Sequence, residues 1–251
     1  MSKIIILGAS NAVSTDKSEN THFVVVGKER MILVDVPSNA TFRRLEKSGL
    51  NFNNLTDIII THFHPDHTLG LPALLLDMWI MGRTLPLTIH GLDFTLQRAQ
   101  ALMDLYDWSG WSGFYPVHFS PVPAHELAPL LDCPDFAVFS SPVHHGIPNI
   151  GLRVDFKDSR RSFAYSSDTE PCEEVIRLGA GVDVLIHEAG GSLPGHSSAK
   201  QAGEIAAKAE VGKLILIHYP TSKPVSQDLI AEARKAFYGE VILAIDFAVF
   251  D

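Results

Sequence analysis

Apolar residues enter this chain as short, unbroken runs. KIIILG (residues 3–8), HFVVVG (22–27) and MILVDV (31–36) follow one another, with the polar spacers ASNAVSTDKSEN and GKER between them. Such runs, bounded by turn formers, predict strands, and the absence of polar alternation predicts strands covered on both faces. LTDIIITH (55–62) is of the same kind, and LPLTIHG (85–91) is a further strand. Elsewhere the period lengthens. NATFRRLEKSGL (39–50), stopped at Gly49, LGLPALLLDMWIMG (69–82), entered through Pro72, and DFTLQRAQALMDLYDW (93–108) have helical spacing. SGWSGFYPVHFSPVP (109–123), rich in Gly, Pro and aromatic residues, reads as an ordered loop.

A second strand series follows: FAVFSSPVHH (136–145), GLRVDF (151–156), SFAYSSD (162–168) and VDVLIHEA (182–189). SSAKQAGEIAAKAE (197–210) is an amphipathic helix, KLILIHYP (213–220) a strand, SQDLIAEARKAF (226–237) a helix and VILAIDFAVF (241–250) a last strand. No repeat, low-complexity tract or linker divides the sequence. The expectation is one domain over residues 1–251, with two sheets packed together and helices outside.

Composition narrows the function classes. A hydrophobic content of 46% and a charged content of 20% suit a soluble globular protein. No apolar run reaches the roughly 18–20 residues of a membrane helix. MSKIIILGAS reads as a first strand rather than a signal peptide, so a cytoplasmic location without membrane association is expected. Two cysteines, Cys133 and Cys172, exclude a disulfide framework and a four-thiolate zinc site, and each is expected as a small buried hydrophobe. The formal net charge of -9 argues against broad, nonspecific nucleic-acid binding.

The chemistry concentrates in IIITHFHPDHTLG (58–70), where His62, His64, Asp66 and His67 crowd into six positions behind a buried strand. Extended backbone puts His62 and His64 on one side, and Asp66 and His67 come round a turn stiffened by Pro65. Imidazole and carboxylate donors suit zinc, manganese or iron better than calcium or magnesium. A polar loop with chance histidines is the bland alternative, and this density speaks against it. Three further strand-like runs end in a His or Asp: VFSSPVHHG, SFAYSSDT and LILIHYP. They offer His145, Asp168 and His218, held on rigid strand ends. Isolated His90 and His118 are expected to be packing residues, as is His187. Trp108, Trp111, Phe114 and Tyr115 either wall a pocket, stacking on a base or ring, or pack against a helix or a second subunit. The Arg43–Arg44 and Arg160–Arg161 pairs are expected at the solvated surface.

THFHPDH resembles the His-x-His-x-Asp-His signature of the metallo-β-lactamase superfamily. HGIPNIGLR, YSSDT, IHEAG, GHSSAKQAGEIAAKA and the strand-end His218 follow in the order of its ribonuclease Z-like phosphodiesterase branch, as does the opening ILGASNA…NTHFVVV. The resemblance covers nearly the whole chain. It implies an α/β fold, an αββα sandwich of two mixed sheets with helices on the outer faces. It also implies a binuclear centre of two divalent ions, Zn2+ first, with Mn2+ or Fe2+ as alternatives. One ion would be held by His62, His64 and His145, the other by Asp66, His67 and His218, with Asp168 bridging. His145 is preferred to His144 because it directly precedes GIPNIGLR. Asp66 would also orient a water, and His196 with Glu188 would protonate the leaving group. A homodimer is implied as well.

Two such ions, about 3.5–4 Å apart, clamp a phosphate and acidify a water between them, giving hydroxide near neutral pH. The expected substrate is a small or cyclic phosphodiester or nucleotide. The transfer-RNA 3′-processing group carries a long arm after its GLR-type strand, whereas GLRVDFKDSRRSFAYSSD runs on to the next strand within a few residues. The PSKxRN-like loop of that group is replaced by VSTDKSEN. Lactone, thioester or other carbonyl hydrolysis on the same metal core ranks second, together with tRNA 3′ processing. A noncatalytic nucleotide- or metal-binding module ranks last, because all seven candidate ligands are present.

Overall fold

The computed structural model describes residues 2–221 and 226–251. The first sheet contains β1 (Lys3–Gly8), β2 (His22–Val26), β3 (Met31–Val34), β4 (Asp57–Ile59), β5 (Leu87–Gly91) and β6 (Val117–Pro121). The second contains β7 (Ala128–Asp132), β8 (Phe136–Val143), β9 (Asn149–Phe156), β10 (Ser162–Tyr165), β11 (Val184–Glu188), β12 (Lys213–Ile217) and β13 (Glu240–Leu243). The chain then returns to the first sheet as β14 (Val249–Phe250), pairing with β1. The strand orders are β14-β1-β2-β3-β4-β5-β6 and β13-β12-β11-β10-β9-β8-β7. Helices α1 (Thr41–Lys47), α2 (Pro65–Thr68), α3 (Leu71–Ile80) and α4 (Asp93–Asp104) connect strands of the first sheet, and α5 (Glu173–Leu178), α6 (Ala199–Lys208) and α7 (Ser226–Ala233) those of the second. This is the αββα sandwich. No described helix is long and apolar enough to cross a membrane.

The unbroken apolar runs are explained by which way successive residues face. Ile4, Ile6, Phe23, Val25, Ile32, Val34 and Ile59 join the core shared with the second sheet. Their neighbours Ile5, Leu7, Val24, Met31, Leu33 and Ile58 join a second core under α1, α3 and α4. Each strand is therefore apolar on both faces, and each such side chain contributes about 1.5–3 kcal/mol by leaving water. Between the sheets, Phe23 meets Tyr165 edge-on at 5.0 Å between ring centroids.

Strands β3 to β6 run parallel, as do β10 to β13. Their C-terminal ends open on the same end of the sandwich, where ligands bind in parallel α/β sheets. Three expectations change. The loop expected at 109–123 contains β6, an edge strand ending in Pro121, and edge strand β7 carries Pro129 beside a register shift. Proline lacks the N–H that the ladder uses, so such strands lack a strong sequence signal. The last strand, expected as one, is two, one in each sheet. Arg44 is no surface residue: Nε donates to the Leu7 carbonyl at 2.6 Å, the guanidinium pairs with Asp246, and it lies 4.5 Å over the Phe247 ring.

Candidate metal centre

The histidine-rich segment leaves β4, stays extended to His64, and turns into the short helix α2 with Pro65 at its first position. His62 and His64 thus lie before the turn, and Asp66 and His67 lie within it. From the second sheet, β8, β10 and β12 each run out into one further residue of the group: His145, Asp168 and His218. Donor atoms of His62, His64 and His145 lie within 4.8 Å of one another, as do those of Asp66, His67, Asp168 and His218. His64 Nδ1 is 3.1 Å from His62 Nε2 and 3.0 Å from His145 Nε2. Asp168 Oδ2 is 3.5 Å from His67 Nε2, 3.3 Å from His218 Nε2 and 4.0 Å from His62 Nε2, so it stands between the two sets. Asp66 Oδ2 is 3.4 Å from His218 Nε2.

The surrounding hydrogen bonds decide which ring nitrogens carry protons. His145 Nδ1 donates to the Gly195 carbonyl at 2.7 Å, which leaves Nε2 with a lone pair. Gly195 has φ +83, and a Cβ there would sit 2.9 Å from His145 Nδ1, so the contact requires glycine. Thr61 Oγ1 gives its proton to Asp35 at 2.9 Å and accepts from His62 Nδ1 at 3.1 Å. His62 Nε2 is then also a lone pair. Burial, first among the causes, holds His62 well below the usual histidine range and lowers His64 too. Uncharged imidazoles therefore point lone pairs at one small volume, which one hydrogen bond cannot satisfy.

The other set is anionic. His67 Nδ1 donates to Asp35 Oδ2 at 2.8 Å, which turns its Nε2 toward Asp66 and Asp168. Burial opposes charge on His67, but Asp168 and Asp35 outweigh it and raise its pKa well above the ordinary value. Burial likewise opposes charge on Asp168, and His218 and His67 more than reverse that, holding its carboxyl well below the usual range. His67 Nε2, Asp168 Oδ1 and His218 Nδ1 are buried without partners. This combination of lone pairs, carboxylates and orphaned donors fits cations. Asp35, Ser167 and His218, all just past strand ends, have φ of 64, 53 and 53. Each left-handed residue costs roughly 1 kcal/mol, and here they cluster at the centre.

Glu188 ends β11 fully buried. It accepts from Thr169 N at 3.1 Å, Ser197 N at 2.9 Å, Gly190 N at 2.6 Å and His196 Nδ1 at 3.0 Å. The bond to Glu188, opposed by burial, raises the pKa of His196. His196 stacks on His218 at 5.6 Å and lines a cavity of about 170 Å³ together with Asp66, Asp168, His218, Asn11 and Leu193. His144 turns away, with its side chain 61% exposed beside Glu174. The aromatic stretch 108–115 lies elsewhere: Trp111 stacks on Trp79 at 5.3 Å and Tyr115 donates to the Leu75 carbonyl, against the helix-side core. His90 pairs with Asp57 at 2.9 Å. Asp35 went unnoticed in the sequence, although it too follows an apolar strand, in MILVDV.

A sandwich of this kind with clustered His and Asp side chains at its open end is a metal-dependent hydrolase. The chain belongs to the metallo-β-lactamase superfamily: the Beta-lactamase superfamily domain matches residues 30–219. It is 26% identical to Ribonuclease Z of Methanothermobacter thermautotrophicus, covering 94% of this chain and 92% of that one. With Ribonuclease Z of Thermococcus kodakarensis it shares 28%, over 94% and 89%. The first alignment runs to 293 positions while taking in only 94% of 251 residues, so that relative has segments absent here. Among solved structures, the metallo-beta-lactamase fold protein YhfI from Bacillus subtilis has a TM-score of 0.84 at 22% identity, covering 99% and 98%. Human tRNase Z, short form, gives 0.79 at 24%, again over 99% and 98%. These structures share the fold.

Proposed function

We propose that this protein is a binuclear phosphodiesterase acting on a small or cyclic phosphodiester. His62, His64 and His145 hold one divalent ion and Asp66, His67 and His218 the other, with Asp168 shared. When bound, the ions supply Lewis acidity to the non-bridging phosphate oxygens and acidify the attacking water. Asp66, on the cavity wall, orients that water through its free carboxylate oxygen. His196 donates the proton that the departing alkoxide needs. Its Nδ1–H is committed to Glu188, so the proton delivered is the one on Nε2, and the bond to Glu188 raises the pKa and so favours the charged ring.

The His196–Glu188 pair beside the Asp66–Asp168 wall carries this reading: a departing alkoxide needs an acid, and a cationic imidazole at that place also meets the negative oxygens of a phosphodiester, which a neutral lactone or β-lactam lacks. The name shared by the ribonuclease Z relatives supports phosphodiester chemistry. The geometry favours a small substrate. The β9–β10 connection is the five residues 157–161 rather than an arm, and the cavity holds about 170 Å³. The zinc- or manganese-loaded protein is expected to turn over bis-p-nitrophenyl phosphate and a cyclic nucleotide faster than a lactone or a precursor tRNA. A lactone preferred over both phosphodiesters would overturn the reading.

A further inference from the structure

Next to the centre, but using none of its residues, His144, Cys172 and Glu174 converge. One donor atom from each lies within 4.8 Å of the other two. His144 follows β8, Cys172 is the residue before α5, and Glu174 is in the first turn of that helix. His144 Nε2 is 3.4 Å from Glu174 Oε2. The thiol is deep, with Cys172 only 6% exposed, while the imidazole opens to solvent. An ion can therefore enter over His144 and reach sulfur beneath.

The fold ties the backbone of His144 to the turn that leads into Cys172. Glu170 N donates to the His144 carbonyl at 2.8 Å, and His144 N donates to Thr169 Oγ1 at 3.1 Å. Thr169 Oγ1 passes its own proton to the Glu170 carbonyl and lies 3.6 Å from Cys172 Sγ. Imidazole, thiolate and carboxylate with one open position suit a zinc-class ion, whereas calcium and magnesium select oxygen donors.

We propose that His144, Cys172 and Glu174 form a third cation site, for a zinc-class ion, separate from the binuclear centre. Binding breaks the Cys172 S–H bond, releases that proton to solvent and forms a sulfur–metal bond. The site joins the segments that present His145 and Asp168 without touching either ligand. Its sulfur sets it apart, because the seven groups assigned to the centre offer only nitrogen and oxygen.

Co2+ titration of the full chain, followed by absorption, tests this. A sulfur-to-cobalt charge-transfer band in the near ultraviolet is expected beside the d–d bands of the nitrogen and oxygen centre. Cys172→Ser should abolish that band and Cys133→Ser should keep it. His144→Ala, at an exposed position, should weaken Co2+ uptake in that band by about tenfold or more. No sulfur band at saturating Co2+, or one surviving Cys172→Ser, would overturn the site. If Cys172→Ser does not fold, an unchanged band in His144→Ala does the same. Failure of the phosphodiesterase reading leaves the sulfur band in place, and loss of the band leaves the d–d bands and turnover.

Discussion

His62, His64 and His145 meet as three imidazoles, whereas Asp66, His67, Asp168 and His218 bring two carboxylates within about the same space. In the first set burial is the leading influence and keeps His62 and His64 uncharged. In the second, carboxylates overcome burial and draw positive charge onto His67. One half of the centre is thus a neutral lone-pair trap and the other an anionic one. Asp35 deepens the contrast: it bonds His67 at 2.8 Å and Thr61 Oγ1 at 2.9 Å, orienting the anionic half directly and the neutral half only through Thr61. A cation in the anionic half neutralises charge already present, while one in the neutral half brings charge that Asp168, beside His62, and Asp66, beside His64, must share.

Four experiments bear on that contrast. The largest effect is expected for Asp168→Ala, because this carboxylate lies between the two halves. Elemental analysis should find fewer than two ions per chain, with phosphodiester turnover below that of any other variant; two retained ions would remove Asp168 from its shared position. His196→Ala comes next. Proposed as the acid and not as a ligand, it should leave metal content at wild type while turnover falls by about two to four orders of magnitude. Unchanged turnover would take His196 out of catalysis.

Asp35→Asn separates the halves. With the bond to His67 weakened, the anionic half should lose about 10- to 100-fold in metal affinity, and dialysis should remove one ion well before the other. Equal loss of both would contradict the contrast drawn here. The smallest effect concerns stability. His22, buried with Nδ1 donating to the Asn20 carbonyl at 2.7 Å, is pushed down to about 3, chiefly by burial. Its native form stays uncharged while the unfolded chain takes up a proton near pH 6.5. Its contribution is therefore complete above pH 6.5 and drains away as pH falls toward 3. Metal-free wild type should lose about 2 kcal/mol more than His22→Asn between pH 7 and pH 5 by chemical denaturation. Parallel pH profiles would refute this.

The two halves of the molecule also differ in how plainly they can be read from sequence. The loop from His62 to His67 announces itself, since its donors are neighbours in the chain. His145, Asp168 and His218 stand 23 and 50 residues apart, and only their position after apolar strand runs brings them to notice. Assigning them to one centre needs the topology that aligns β8, β10 and β12. Asp35 follows the same rule but precedes the obvious cluster, so nothing drew it out. Edge strands β6 and β7 lie where proline and half-exposed positions erase the alternation that marks a strand. Arg44 looks like a surface charge because its partners, Asp246 and Phe247, are about 200 residues away in sequence.

The return of β14 to the first sheet has a consequence for biosynthesis. β1 leaves the ribosome more than 200 residues before β14, yet its outer edge finds its mate only when residues 249–250 emerge. Until then the nascent chain carries bare backbone donors and acceptors along that edge. The N-terminal half can gather β2, β3 and β4 beside β1 during translation, but the outer border of that sheet stays open until the chain has passed through the whole second sheet.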